Sequence, residues 1–465
     1  MARTAPSLGL SLWRSAPFGR PLPLLAGLLA ACLPLVFLHV RYQPSLEVRA
    51  GSTVVGVQLS DLAILAVVGA GLAAALALGL SPLRTSLPVW GAAAAFLVLV
   101  GASTLHPLAW RQDYAFLTHL VTALKFGEYA LIAPALALLL RRRWTLDLLV
   151  ATVVAWSAAA TGWGLLQFLG AVPGFEGAGA GRRAPSFLGI HDLAALSGAA
   201  LAVAVAVLAL GPSRPRDKSV AWLAGVAGGL GLVLSAALAA LVGVGLAAAT
   251  ALGVAAARGA LVARRAATLA LLVGLVTAGV VLMRSGDIGD FARFLGLGQR
   301  REGGVETYTQ RTLLAYIGLR IFFDHPLTGV GWQGSGEPES FRPYLAAARR
   351  RFPGAPSIAF PSAAHPWGVQ NAYLQAAADM GVLGLVALVA VLATSFVQGA
   401  RTARQAPRAV ALPTLACLGW LLVASGTWNG VGLVAGIPLL ALTWIAVGAL
   451  AACSALARQA GDGRG

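Results

Sequence analysis

Paired arginines and isolated histidines at the borders of apolar runs are the side chains of this sequence with chemistry to offer. Arg182 and Arg183 stand in GRRAPSFLGIHDLAA just before one such run. Their planar guanidinium groups could grip a phosphate with two parallel hydrogen bonds; anchoring at a membrane surface is the other use of such a pair. Arg311 and Arg320 share the segment Arg311 to Asp324, but at about 100° per residue they point half a turn apart. They cannot easily serve one ligand. His365 opens HPWGVQN ahead of an apolar run from Ala372 to Phe396. With Pro366 in the first helical turn, His365 would lie near a positive helix N-terminus. That environment binds an anion such as a diphosphate and favours neutral imidazole, the form able to accept a proton. A plain helix cap is the simpler use of the same residue.

Two further groups are ambiguous. Lys125 and Glu128 fall inside an apolar run, where an ionisable group is costly enough to be a functional candidate, although an i, i+3 pair can also neutralise itself. In Asp324 to Trp332, DHPLTGVGW, the lone GxG of Gly329 and Gly331 is a weak phosphate signal. With His325 and Pro326 it reads as a tight turn that ends a helix.

The elements that must position these residues follow from composition. With 58% hydrophobic and 11% charged residues in 465 and a mean hydropathy of +0.79, the chain cannot solvate a globular surface of its size. Lipid is its solvent, and in lipid the expected form is helical. The fold expected is all-α, a polytopic bundle of about twelve transmembrane helices, from a first helix retained at 21 to 40 through to a last at 429 to 453. The run Ala221 to Ala257 is too long for one span and reads as a tight hairpin split near residue 237. A net charge of +17 is spread in small clusters between apolar runs, which fits membrane topology rather than nucleic acid.

Starting the N-terminus in the cytoplasm puts Arg84, Arg141 to Arg143, Arg214, Arg258 and Arg401 with their neighbours inside, as positive-inside topology requires. Segments 41 to 59, 105 to 115, 171 to 190 and 284 to 370 then face outward. Three regions result: an N-terminal bundle, 1–283; a large extracytoplasmic loop, 284–370; and a C-terminal bundle, 371–465. Within the loop, Leu313, Leu314, Ile317 and Ile321 share one face, so an amphipathic helix is expected there. Cys32, Cys417 and Cys453 all lie in apolar segments, which argues against a disulfide framework. There is no HExxH, no clustered Cys/His pattern and no Walker A motif, so no metal and no cofactor are expected.

The chain resembles the O-antigen ligase and O-antigen polymerase superfamily of bacterial envelope enzymes. The likeness rests on about twelve spans, a large late loop, Arg311 opening an amphipathic helix, DHPLTGVGW, and QNAYLQAAADMGVLGL; RRAPSFLGIHDLAAL is a weaker match. The resemblance implies a GT-C-like membrane glycosyltransferase of the bacterial cytoplasmic membrane, with its active site on the extracytoplasmic face. It would move a glycan from undecaprenyl diphosphate to a glycolipid, glycan or protein acceptor hydroxyl, without metal or nucleic acid. Carried over by position, Arg311 and Arg183, with Arg182 and Lys125, would hold the diphosphate; His365 would act as base or orienter, beside Gln370 and Asn371. Gln370 replaces the family's His, Asp379 its Glu, and His191 and Asp192 stand in the region of an upstream Asn. His325, Gly329, Gly331 and Asp379 would support the site. A transporter or flippase using Lys125, Glu128 and Asp61, or a non-catalytic glycolipid-binding relative, is the alternative.

Overall fold

The computed structural model describes residues 21–50, 53–112, 114–175, 179–294, 307–434 and 437–462. Eleven helices among them are long and apolar enough to cross a membrane. The expected first span is a shorter helix, Pro21–Val36, of 16 residues, less than the roughly 20 that a bilayer core requires. The fold is an all-α polytopic bundle, with one addition that periodicity had not indicated: Ser45–Ala50 and Thr53–Gln58 pair as an antiparallel hairpin.

The bundle is organised around Ile190–Leu210, Arg408–Gly430 and Pro438–Gly461, which are almost wholly buried. Small residues make this possible. A β-carbon at Gly228 would fall 2.5 Å from the Ser197 carbonyl oxygen, and one at Gly243 would fall 2.5 Å from that of Leu422. Without side chains there, backbones approach to van der Waals contact, the main source of helix association where lipid competes for apolar surface. The expected split of the long apolar run falls at Ala236, in left-handed conformation between Pro215–Ser235 and Leu238–Ala257.

The polar loop packs a hydrophobic cluster between its own helices and the helix that follows. It contains helices Ser285–Phe294, Thr307–Asp324 and Pro338–Arg351. Leu313, Leu314, Ile317 and Ile321 are all buried, packed with Val330, Phe341, Ala348, Phe360 and Ala378. The amphipathic helix therefore lies on the loop's core and on the helix that follows, rather than flat on lipid.

Two devices fasten this loop to the bundle. The first is a break at Gly381 (φ 67°) inside Ala372–Gln405. The break leaves two carbonyls without helical donors, and the DHPLTGVGW turn supplies them. Val330 N donates to Ala378 O at 3.0 Å and Gly331 N to Asp379 O at 2.9 Å, while Val382 N donates to Pro326 O at 2.8 Å. The fit is tight, since a β-carbon on Gly381 would lie 2.2 Å from the Leu327 carbonyl oxygen. The second device is Glu337, which accepts from Arg111 and pairs with His119 Nε2 at 2.6 Å. Tyr114 stacks on the His119 ring at 4.7 Å.

Candidate functional site

Four segments converge beside the loop, and each brings one polar group. The first is the turn before Ile190–Leu210. Ser186 adopts a left-handed conformation (φ 59°) and is fixed there by Gln167, whose Oε1 accepts from Ser186 N at 2.8 Å and whose Nε2 donates to Ser186 O at 3.1 Å. That turn directs Arg183 back to the end of Pro215–Ser235, where its Nε donates to Ser235 O at 2.9 Å. A cation satisfying the last carbonyls of a helix is a favourable arrangement.

The second group is Arg284, the C-cap of Ala263–Met283. It is almost wholly buried, paired with Asp287 at 2.7 Å and set 5.1 Å over the Tyr308 ring. Its Nε is buried without a hydrogen-bond partner among the described residues.

Arg311, in the loop helix, is the hub. Its Nε donates to Gln370 Oε1 at 3.1 Å, and its Nη2 meets His191 Nε2 at 3.1 Å. Gly430 leaves room for it, because a β-carbon there would sit 3.4 Å from Arg311 Nη1. Arginine only donates, so Nε2 of His191 must be the acceptor and the proton sits on Nδ1. That Nδ1 is buried with no partner among the described residues.

Among the described residues the cluster holds more cations than carboxylates. Burial, then the charges of Arg284 and Arg311, push the Arg183 guanidinium down to about 10, so it remains a cation at neutral pH. Arg311 is likewise lowered by burial, with Arg284 adding to the effect. Among the described residues, three guanidinium groups and an imidazole N–H donor thus lie near one another, and the carboxylate paired with them is the half-exposed Asp287. Such a set of donors takes a polyanion with several charge-assisted hydrogen bonds.

The other expected residues are distributed differently. Arg182 is exposed. Gln370 joins the cluster through Arg311. Asn371 is the N-cap of Ala372–Gln405, its Oδ1 accepting from Leu374 N at 3.0 Å and its Nδ2 donating to Asn429 O at 3.4 Å. The helix therefore begins at Ala372, not at Pro366. His365 is not at a helix N-terminus: it is exposed in a turn with Ser362 and stacked on Trp367 at 5.8 Å. Its distance from the cap takes it out of reach of the helix dipole.

Lys125 belongs to another part of the bundle. It donates to Asp61 Oδ2 at 2.9 Å and to Gly56 O at 2.8 Å, so it is not neutralised by Glu128, whose Oε1 is buried without a partner among the described residues. Among the described residues the polar partners of Lys125 are Asp61 and Gly56, and Arg183 and Arg311 are not among them. His325 is exposed and contributes backbone to the turn, its carbonyl accepting from Gly329 N at 3.0 Å. Gly329 (φ 66°) and Gly331 (φ 104°) are shape residues of that turn. Asp379 is fully buried and accepts from Gln333 N at 3.2 Å and Ser335 N at 2.8 Å, so it holds the chain that follows the turn.

Sequence reasoning passed over Arg284 and His191 as ligand-binding groups. Arg284 ends a span and so resembles an ordinary interfacial anchor. His191 carried a usable signal: it follows Arg183 by eight residues in the same GRRAPSFLGIHDLAA segment.

Residues 223–389 match the model of the family described as O-Antigen ligase. The matched segment holds Arg284, Arg311, the DHPLTGVGW turn, Gln370, Asn371 and the Gly381 break; Arg183 and His191 lie before it. A comparison with curated proteins gives no match. The family match supports membership of the O-antigen ligase and polymerase superfamily. Together with the eleven candidate spans it supports a multi-pass membrane protein of the O-antigen ligase and polymerase type.

Proposed function

We propose that the chain transfers a glycan from undecaprenyl diphosphate to an acceptor hydroxyl, without a metal, on the extracytoplasmic face of the bacterial cytoplasmic membrane. The observation that carries this reading is the convergence of Arg183, Arg284 and Arg311 near His191, with Asp287 the carboxylate paired to them among the described residues. A diphosphate offers these cations negative charge in the geometry that guanidinium groups bind. Facing follows from charge: Arg141, Arg143, Arg214, Arg258 and Arg408 bond carbonyls or carboxylates at the opposite helix ends, which positive-inside topology assigns to the cytoplasm.

In the step proposed, the acceptor oxygen attacks the anomeric carbon while the bond from that carbon to the diphosphate oxygen breaks. The electron pair leaves with undecaprenyl diphosphate. Guanidinium groups fixed before reaction stabilise the charge growing on the leaving oxygen, at no reorganisation cost during the step. The Nδ1 proton of His191 is a further donor to that oxygen or its neighbours. Gln370, held by Arg311, orients the acceptor. His365, exposed five residues before Gln370, is assigned the hydroxyl proton, and Asn371 fixes the start of the helix behind both. Arg182 meets the donor headgroup at the rim.

The test is a reconstituted assay with a defined undecaprenyl-diphosphate glycan and glycolipid, glycan and protein acceptors in turn. Bond formation with one acceptor class supports the reading and identifies the acceptor. Movement of glycan across the membrane without a new glycosidic bond sinks it in favour of a transporter. Full activity of His365→Ala would remove His365 from the mechanism and leave the diphosphate site standing.

A further inference from the structure

At the membrane face opposite the loop, a cavity of about 1300 Å³ opens between helix ends. Among the described residues, five arginines, Arg141, Arg142, Arg143, Arg214 and Arg216, and the carboxylate of Asp147 are its charged lining groups. We propose that this cavity binds a phosphate-bearing anion, the phosphodiester headgroup of an anionic membrane lipid.

The arginines are not equivalent. Arg141 is structural, its guanidinium donating to the carbonyls of Leu138, Leu78 and Gly79. Arg143, Arg214 and Arg216 instead share Asp147, with Arg143 at 2.8 Å and Arg214 at 2.7 Å. One carboxylate cannot neutralise three cations, and Arg142 is exposed beside them. Arg143 also keeps a buried Nε without a partner among the described residues. A belt of headgroup-contacting arginines would be spread around a bundle. Here they converge on one concavity, where three guanidinium groups share one carboxylate.

The walls indicate which phosphate. Leu22, Leu78, Val410 and Leu456 line the same cavity, so an occupant with acyl chains buries apolar surface as its headgroup meets the arginines. Basic pockets between membrane helices have this affinity for acidic headgroups. Residues 1–20 are not the matching occupant by charge, for they carry Arg3, Arg14 and Arg20 and no acidic residue.

The experiment uses the full chain in nanodiscs of phosphatidylcholine with increasing phosphatidylglycerol, read by native mass spectrometry of retained lipid and by Tm. Inorganic phosphate is titrated in a parallel arm. Retention of phosphatidylglycerol over phosphatidylcholine, with a rise in Tm, is expected; each guanidinium removed should weaken it by about fivefold, so R142Q/R216Q should lose more than tenfold. Both residues are exposed or half-exposed, and the wild-type selectivity arm needs no variant. Saturation by inorganic phosphate alone would keep the anion site but assign it to a soluble ligand. Equal retention of both lipids with no phosphate effect, or unchanged selectivity in R142Q/R216Q, overturns the proposal. None of these outcomes depends on glycan transfer.

Discussion

Arg311 Nη2 donates to His191 Nε2 across 3.1 Å, joining the large loop to the core helix of the bundle through one hydrogen bond. The bond fixes the tautomer of His191 and aims its free N–H. Arg311→Ala should lower transfer by roughly 100- to 1,000-fold, the usual cost of removing one donor from developing negative charge. Its Tm should stay near that of the wild type. Normal turnover in the folded variant would exclude Arg311 from leaving-group stabilisation.

His191→Ala should also reduce transfer, and its effect should not add to that of Arg311→Ala. Residues that share a hydrogen bond and a ligand couple by about 1–2 kcal/mol in a double-mutant cycle. The cycle is run on kcat/KM with the lipid-linked donor. Strict additivity would show that the two groups serve different ligands.

Asp379→Asn is expected to cost stability rather than chemistry. The carboxylate accepts from two backbone N–H groups, Gln333 and Ser335, and an amide offers one oxygen for both. Leaving one buried donor unpaired costs about 1–3 kcal/mol. Tm should fall while specific activity of the folded fraction stays near wild type; a large loss of activity at unchanged Tm would give Asp379 a direct part in transfer.

The Glu337 latch makes loop docking depend on pH. Burial alone would raise this carboxyl, but the hydrogen bond and charge of His119, with Arg111, hold it below its ordinary value. A depressed folded-state pKa contributes stability above the unfolded value, lost as pH falls through the folded one. Wild-type Tm should therefore drop through the acid side of the carboxylate range, and Glu337→Gln should start lower and drop less. Parallel curves for the two proteins would refute the latch.

Gly381→Ala should be among the most damaging substitutions. The Gly381 backbone, φ 67° and ψ −167°, is open almost only to glycine and costs an L-residue about 1–3 kcal/mol, and the added methyl meets the Leu327 carbonyl oxygen at 2.2 Å, adding about 1–3 kcal/mol of overpacking. Proteolysis of the loop should accelerate as Tm falls. Retained protease resistance would mean that the turn and the helix break are independent.

How much of this was legible in the sequence depends on whether the partner was local. Apolar runs gave the spans, and the face of Leu313, Leu314, Ile317 and Ile321 gave the loop helix, because both are written in neighbouring residues. Arg311 was legible through its surrounding motif. Its partner His191 was not, because 120 residues separate them. Lys125 was read against Glu128, its neighbour in sequence, while its actual partner Asp61 comes from another helix. Helix entry at His365 failed for a local reason: Asn371 is the better N-cap, and Pro366 six residues before the helix has no role in its first turn. The Ser45–Ala50 and Thr53–Gln58 hairpin is short and half-polar, and left no trace beside the long apolar runs.

The paired hydrogen bonds at the Gly381 break also bear on how such a chain can change over time. Because Val330, Gly331 and Val382 fasten the turn to the helix, the chain between residues 333 and 371 leaves and returns at two fixed posts. Lengthening a closed excursion costs little entropy. New surface can therefore be inserted there, around Pro338–Arg351, without disturbing the register of the helices that carry the arginines.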